Sequence, residues 1–157
     1  MIEQPLWGEF MTSVAIGGTF DILHDGHKAL LKKAYTLGDV IIGLVSDEMG
    51  IRKALVSNTY DTRKKTVIAY VKALTGTNPV IIALDDPHGP ALKQKFDYIV
   101  VSPETYRTAE KINALRSQRR LPSIKIVCVD FVLAQDGRPI SSTRIHRGEI
   151  DDHGVLL

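Results

Sequence analysis

Three glycines and two histidines stand close together in residues 17–27, Gly-Gly-Thr-Phe-Asp-Ile-Leu-His-Asp-Gly-His. Backbone N–H groups at a helix N-terminus lack partners within the helix and carry part of its dipole, so they can bind phosphate. Gly17 and Gly18 have no Cβ, so the backbone there can approach a ligand closely. His24 and His27 lie three apart and can face the same phosphates. The stretch predicts a phosphate site, although a lone histidine at a helix start is more often a cap or a surface residue.

The flanking sequence supplies the strand and the helix that such a site requires. Residues 14–16, Val-Ala-Ile, are an apolar run typical of a buried strand. Leu30, Leu31, Ala34 and Leu37 follow the motif at the spacing of one helix face. We therefore predict a strand-to-helix crossing with the motif at the start of the helix.

Apolar runs and helical patterns alternate along the rest of the chain. The strands are apolar throughout, which is typical of a parallel sheet covered on both faces. With right-handed crossovers, the expected fold is α/β, a single Rossmann-like doubly wound domain with a five-stranded parallel sheet. The predicted strands cover residues 14–16, 40–45, 80–84, 98–101 and 124–129. Helices are expected directly after the motif, from a cap at Asp61 to Gly76, over residues 104–120, and in a short segment that begins at residue 140. Residues 49–60 are expected to form a loop.

The length and composition favour one domain. We expect it to span residues 13–157 of the 157, after an irregular extension over residues 1–12. The formal net charge of +2 is too small to indicate nucleic acid as a partner. The one cysteine, Cys128, excludes a disulfide scaffold and favours the cytoplasm, and we expect it to be a buried core residue. No apolar run approaches the ~20 residues of a membrane span, and no obligate protein partner is evident.

Ligands in doubly wound sheets bind beyond the carboxyl ends of the strands. We therefore expect one cleft between the loops that follow strands one, two, four and five. The last of these carries Ser141, Ser142 and Thr143 at a predicted helix start, where hydroxyl and N–H groups can bind phosphate oxygens and Arg144 can neutralise charge. Taken alone, this stretch could be an ordinary N-cap.

Two of these stretches together resemble a known superfamily. Residues 17–27 are similar to the signature of the nucleotidyltransferases with a His-x-Gly-His motif, and residues 140–143, Ile-Ser-Ser-Thr, to their second motif, which holds the β- and γ-phosphates. The superfamily includes cytidylyltransferases and the adenylyltransferases of nicotinamide mononucleotide, FAD and phosphopantetheine. The resemblance implies attack on the α-phosphate of a nucleoside triphosphate, with pyrophosphate leaving.

Three further stretches narrow the resemblance. Residues 86–91, Asp-Pro-His-Gly-Pro-Ala, residues 100–107, Val-Val-Ser-Pro-Glu-Thr-Tyr-Arg, and the Ile-Asn pair at 112–113 followed by Arg116 are similar to archaeal and eukaryotic phosphopantetheine adenylyltransferases. This implies transfer of AMP from ATP, with Mg²⁺, to 4′-phosphopantetheine, giving dephospho-coenzyme A. Bacterial members carry Arg-Gly-Leu-Arg after strand four, where this chain has Ser-Pro-Glu; Arg107 either takes over that role or is an exposed helix residue.

The resemblance also implies roles for individual residues. The acceptor phosphate is itself the nucleophile, so the protein needs no covalent nucleophile and few metal ligands, and catalysis depends on alignment and charge stabilisation. His27 and Lys53 would act on the charge at the α-phosphate, and Thr19 would position the acceptor. The implied ATP-binding set is Gly17, Gly18, Thr19, Phe20, His24, His27, Ser141, Ser142, Thr143 and Arg144; the implied phosphopantetheine-binding set is Thr19, Lys53 and Arg107.

Three other functions remain open. A different superfamily enzyme would use a nicotinamide mononucleotide, FMN or alcohol-phosphate acceptor; the chain lacks the Gly-Arg-Phe-Gln/Asn-Pro pattern of the first group and the Arg-Thr-x-Gly-Ile-Ser-Thr-Thr of cytidylyltransferases. A non-catalytic nucleotide sensor is disfavoured because both motifs and Lys53 are intact. An RNA-binding relative of synthetase domains is disfavoured because no basic domain is appended.

Overall fold

The computed structural model describes residues 12–52 and 57–157, with the side chains of residues 51 and 52 left out. Strands and helices alternate along it. The strands are β1 (Ser13–Gly18), β2 (Asp39–Val45), β3 (Val80–Leu84), β4 (Tyr98–Val101) and β5 (Lys125–Cys128); the helices are α1 (Asp25–Leu37), α2 (Asp47–Arg52), α3 (Tyr60–Thr75), α4 (Tyr106–Gln118) and α5 (Ser142–His146), with a 3₁₀ turn at Gly89–Leu92.

The five strands form one parallel sheet in the order β3-β2-β1-β4-β5. Ile16 of β1 pairs with Ile42 of β2 on one side and with Val100 of β4 on the other. The chain moves outward from β1 to β3 and then crosses to β4, so the switch point lies between β1 and β4. The predicted doubly wound α/β domain with five parallel strands is confirmed.

The local predictions for the second crossover were partly wrong. Asp47–Arg52 is a helix rather than a loop; its first turn is held by the Ser46 hydroxyl, which accepts a hydrogen bond from the Met49 N–H at 3.1 Å. The cap of α3 is Thr59, whose side chain accepts from the Thr62 N–H, so Asp61 lies inside the first turn. Gly76 ends α3 with a left-handed φ of 80°, as glycine readily does.

The main core packs α1 and α3 against the centre of the sheet. Leu31 and Ala34 of α1 and Val67 and Val71 of α3 are buried there against the central strands. Cys128 is exposed, contrary to expectation. It lies at the end of β5, which is at the edge of the sheet and has a neighbouring strand on one side only, whereas β1 and β4 have one on each side.

A buried arginine completes the opposite layer. Arg116 of α4 is 2% exposed and donates to the carbonyls of Ala91, Gln94 and Pro122. Asn113, one turn earlier, exchanges two hydrogen bonds with the backbone of Ile124 at the start of β5. These contacts connect α4 to its neighbouring loops. Asn113 and Arg116, which the narrower family resemblance included, therefore stabilise the fold.

The expected extension over residues 1–12 lies outside the described residues except for Thr12, whose carbonyl accepts a hydrogen bond from the Asp39 N–H at 2.7 Å. Within residues 12–52 and 57–157, no helix is long and apolar enough to cross a membrane.

Candidate active site

His24 and His27 cap α1 reciprocally. His24 is the N-cap residue, and its Nδ1 accepts hydrogen bonds from the N–H of Gly26 at 3.0 Å and of His27 at 3.4 Å. The Nδ1 of His27 accepts from the His24 N–H at 3.4 Å, and the two rings stack with centroids 3.8 Å apart. A neutral imidazole that accepts through Nδ1 carries its proton on Nε2. In this tautomer each ring carries an Nε2–H, the group through which it would donate to a ligand.

Both rings are uncharged at neutral pH in the free protein. Burial lowers the pKa of His24 to about 4, against the opposing pull of Asp25 and Asp152. Burial and, to a lesser extent, the neighbouring His24 lower the pKa of His27 to about 3, against the opposing effects of a hydrogen bond with the Ile22 backbone and of Asp21. Both rings of the motif are thus neutral, and their Nδ1 atoms are held by the backbone at the start of α1.

A cavity of about 310 Å³ opens above these donors at the carboxyl ends of β1, β4 and β5. Its walls bring together the β1–α1 turn, the start of α4, the end of β5 and the start of α5. The polar or aromatic side chains that line it belong to Thr19, Phe20, Asp21, His24, His27, Ser102, Glu104, Thr105, Asp130, Phe131, Ser141, Ser142 and Thr143, and Gly17 and Gly18 form part of its wall. We call it the polar cavity.

Phe20 supports the motif from behind. It has a φ of 47° and is 1% exposed, and its ring centre lies 5.0 Å from that of His27. A Cβ at Gly18 would lie only 3.0 Å from the Phe20 ring, so glycine is the residue that fits there. A non-glycine residue in the left-handed region costs on the order of 1–2 kcal/mol, and such residues cluster at functional sites. The buried Phe20 ring thus packs against His27 in the wall of the polar cavity.

A buried arginine braces Thr19. Arg63 of α3 is 1% exposed and donates to the carbonyls of Thr19 at 2.9 Å, Val45 at 2.7 Å and Asn58 at 3.0 Å. It thereby joins the carboxyl ends of β1 and β2 to α3. This role of Arg63 was not predicted from the sequence. A signal was present, because Arg63 precedes the buried Val67 and Val71 at intervals of four residues and so lies on the apolar stripe.

Asp21 was also missed. Its carboxylate is buried and accepts hydrogen bonds from the backbone N–H groups of Ser57 and Asn58, from the Ser57 hydroxyl and from His146 Nε2 at 2.7 Å. Burial raises the pKa of Asp21, but the hydrogen bonds from His146, Asn58 and Ser57 outweigh it and hold the pKa below its usual value. Asp21 is thus a charged centre joining three segments of the chain.

The Ser-Ser-Thr stretch opens α5 as predicted. Ser141 is the N-cap, and its hydroxyl accepts from the Arg144 N–H at 3.2 Å. The Ser142 hydroxyl lies 3.5 Å from the Ile22 carbonyl. All three hydroxyl residues, Ser141 to Thr143, line the polar cavity, as His24 and His27 do.

Arg144 has a different place from the one we expected. Its guanidinium binds the carboxylates of Asp136 and Glu149 and the carbonyls of Arg138 and Pro139, and it does not line the cavity. The side-chain hydrogen bond from Arg144 holds the pKa of Asp136 at about 2. Arg144 therefore fastens the turn before α5 to the helix, in place of the phosphate contact that the sequence suggested.

A second cavity, of about 230 Å³, lies on the other side of β1 and β4. We call it the apolar cavity, since most of its lining is aliphatic or aromatic, including Val45, Met49, Leu84, Phe96 and Ile112; Thr19, Thr105, Thr108 and His88 add polar groups. Gly17, Gly18, Thr19, Val100, Val101 and Thr105 line both cavities. The two cavities therefore meet at the end of β1.

Comparison with known proteins agrees with this geometry. The family model for cytidylyltransferase-like proteins matches residues 15–148. A phosphopantetheine adenylyltransferase of Methanosarcina barkeri is 48% identical over 151 residues, covering 93% of this chain and 93% of the relative. One from Archaeoglobus fulgidus is 45% identical over 146 residues, covering 92% of this chain and 99% of the relative. A crystal structure of an A. fulgidus protein of unknown function has a TM-score of 0.73 and 41% identity, over 76% of this chain and 90% of that one.

The chain belongs to the phosphopantetheine adenylyltransferase family, a group of nucleotidyltransferases among the cytidylyltransferase-like proteins.

The family resemblance also singled out Lys53 and Arg107. Lys53 lies outside the described residues. Arg107 is exposed on α4 and lines neither cavity, although its neighbours Glu104, Thr105 and Thr108 do. The structure therefore gives no support to Arg107 as a replacement for the bacterial arginine motif.

Proposed function

We propose that this protein transfers AMP from ATP to 4′-phosphopantetheine, giving dephospho-coenzyme A and pyrophosphate. The observation that carries the proposal is the pair of cavities, one polar and one apolar, which meet at Thr19. A transfer between a nucleotide and a phosphate on a long, partly apolar arm requires such a pair. The names of relatives that cover nearly the whole chain support the same acceptor.

The polar cavity suits ATP. The Nε2–H groups of His24 and His27 and the hydroxyls of Ser141, Ser142 and Thr143 supply donors for the triphosphate. The side chains of Glu104 and Asp130 would repel phosphates, so we place the ribose and base near them. The half-exposed Phe131 ring offers a surface on which a base can stack.

The apolar cavity suits the pantetheine arm, and Thr19 lies where the arm's phosphate would meet the α-phosphate of ATP. In the reaction, an oxygen of the acceptor phosphate forms a bond to the α-phosphorus. The bond between the α-phosphorus and the oxygen that bridges it to the β-phosphorus breaks, so pyrophosphate leaves. Negative charge is redistributed over the α-phosphate oxygens. A fixed, neutral donor such as the Nε2–H of His27 stabilises that charge without exchanging a proton.

Mg²⁺ is the expected companion of ATP. Among the described residues there is no group of three or more His, Cys, Asp or Glu side chains that could hold a metal ion. When Mg²⁺ binds together with a triphosphate, phosphate oxygens and water commonly supply most of its ligands. When bound there, Mg²⁺ neutralises phosphate charge. A cytoplasmic location stays a prediction from the single cysteine.

The test is a panel of acceptors. The purified protein is incubated with ATP and Mg²⁺ and with 4′-phosphopantetheine, nicotinamide mononucleotide, FMN or glycerol phosphate, and products are identified by mass spectrometry. We expect dephospho-coenzyme A from the first acceptor alone. Turnover of another acceptor, with none of phosphopantetheine, would overturn the proposal.

A further inference from the structure

One contact joins the last residue of α5 to the β1–α1 turn, and both of these elements contribute residues to the polar cavity. His146, the last residue of α5, places its Nε2 2.7 Å from Oδ2 of Asp21, which is 125 positions earlier in the chain. The Ser57 hydroxyl lies 3.0 Å from the same nitrogen and 3.1 Å from the same oxygen. Both contacts use Nε2, whereas a hydrolytic triad uses both ring nitrogens. The cluster is therefore a connection between segments rather than a nucleophile with its base.

The connection bears on the phosphate-binding hydroxyls. α5 has only five residues, so it moves as one piece, and its first turn carries Ser142 and Thr143 into the cavity. Among the described residues, hydrogen bonds join α5 to residues 17–27 at two points. One is Ser142 to the Ile22 carbonyl at 3.5 Å, the limit of a hydrogen bond; the other is His146 to Asp21 at 2.7 Å. The second is the stronger, because it is short and its acceptor is a carboxylate.

The remaining contacts of Asp21 make it a firm anchor. Its side chain is 2% exposed, and the N–H groups of Ser57 and Asn58 hold it from the α3 side. Asn58 in turn returns a hydrogen bond from its side chain to the Asp21 carbonyl at 2.9 Å, and Arg63 holds the Asn58 carbonyl. The side chain of His146 is 40% exposed, so it can be replaced without opening the core.

We propose that His146 is a positioning residue: its hydrogen bond to Asp21 fixes α5 against the β1–α1 turn, and thereby sets the spacing between the Ser141–Thr143 hydroxyls and the His24 and His27 donors that a triphosphate spans. His146 itself does not line the polar cavity. It acts on ATP affinity through Asp21, and the inference rests on the proposed function for the identity of that ligand.

The experiment compares three full-length variants with the wild type. ATP affinity is measured by calorimetry without acceptor, kcat is measured at saturating ATP, and the unfolding midpoint is recorded for each. We expect His146→Ala to weaken ATP binding about tenfold, the scale of one hydrogen bond to a charged group. His146→Gln keeps a side-chain N–H that can reach Asp21, so its affinity for ATP should stay within about threefold of the wild-type value. In free energy, a threefold change is just under half of a tenfold change. Arg147→Ala removes the next, exposed side chain and should leave affinity unchanged.

Wild-type affinity in His146→Ala would overturn the inference. So would a loss in His146→Gln equal to that in His146→Ala, an equal loss in Arg147→Ala, or a fall in kcat larger than the fall in affinity. The ATP affinities of the variants relative to the wild type test the inference, whereas the acceptor panel with the wild-type protein tests the proposed function. A wild-type protein that binds ATP but turns over a different acceptor would therefore overturn only the function, and one that does not bind ATP would overturn both.

Discussion

Each histidine of the His-x-Gly-His motif uses its two ring nitrogens for different tasks. The Nδ1 atoms of His24 and His27 accept backbone hydrogen bonds at the start of α1, and this leaves the Nε2–H groups for a ligand. A substitution at either position therefore changes both the helix start and the cavity. Kinetic effects must be compared with stability in the same variant.

His27 and Ser142 are expected to differ in how they affect catalysis. His27→Ala removes a donor to charge that grows in the transition state, a loss worth on the order of a hundred- to a thousandfold in kcat. Ser142→Ala should chiefly raise the KM for ATP, because the hydroxyl binds phosphate in the ground state as well. The measurements are kcat by pyrophosphate release and ATP affinity by calorimetry.

His24 is the control for this comparison. It shares the motif and the stacking contact, but it is the cap residue, and we expect a larger part of its effect in ATP binding. Near-native kcat in His27→Ala, or equal losses of rate and affinity, would contradict the assignment of His27 to the transition state.

Phe131 is predicted to stack on the base. Its ring is 40% exposed and lines the polar cavity. Phe131→Ala should raise the KM for ATP by about five- to tenfold, at the lower end of what base stacking contributes, and leave the KM for the acceptor unchanged. Leu133→Ala, two residues further on and 56% exposed outside the cavity, is the matched control. Equal KM values for ATP in Phe131→Ala and wild type would place the base elsewhere.

Sequence alone predicted the candidate residues that lie at a helix start. The sequence predicts helix starts at His24 and His27 and at Ser141 to Thr143, and the structure places these residues around one cavity. Asp21 and Arg144 could not be assigned correctly, because their partners, His146 and Asp136, are set by packing between distant segments or between a turn and a helix. A charged residue beside a motif looks the same in sequence whether it faces a ligand or a buried partner.

At the scale of elements, α1 depends on the protonation state of its cap. His24 accepts N–H groups only when it is neutral, and its pKa is about 4 in the folded protein against 6.5 ordinarily. Above pH 6.5 neither folded nor unfolded chains carry the proton, so this group then has no effect on stability. As the pH falls from 6.5 towards 4, the unfolded chain binds a proton that the folded chain does not, and the free energy of unfolding falls by up to about 1.4 kcal/mol per pH unit.

His24→Asn tests this directly. Asparagine keeps an N-cap acceptor but does not titrate, so the fall in unfolding free energy between pH 6.5 and 4 should be shallower than in the wild type. Urea unfolding at several pH values measures it. His153→Asn is the control: Asp25 raises the pKa of His153, so its contribution to stability changes above pH 6.5 and the slope below should be unaltered. An unchanged slope in His24→Asn would show that His24 is not held neutral by folding.

The helices also show what periodicity can and cannot predict. α1 and α3 have apolar residues at regular spacing and were predicted to within a few residues. α2 was missed because six residues are too few to show a period, and its first turn depends on Ser46. Arg63 is the opposite case. It lies on the buried stripe of α3 at the expected spacing, but its charge did not suggest that it would be buried.

At the scale of the whole molecule, the sheet was predictable and the cavities were not. Five apolar runs separated by helical patterns leave few ways to build a parallel sheet, and the expected doubly wound order was found. The cavities form where the segments that follow all five strands converge, and their volumes depend on side chains from all of them. The meeting of both cavities at Thr19 is therefore a finding of the structure.

The central claim is that the α-phosphate of ATP, carrying its adenosine, moves to the phosphate of the acceptor. ATP labelled at the α-phosphate and ATP labelled at the γ-phosphate are supplied separately to the wild-type protein with Mg²⁺ and 4′-phosphopantetheine, and the labelled products are separated by chromatography. The account predicts that the α-label appears in dephospho-coenzyme A and the γ-label in pyrophosphate, with neither product formed when the acceptor is omitted. An α-label that appears only in free AMP, or a γ-label that appears in the acceptor, would contradict it.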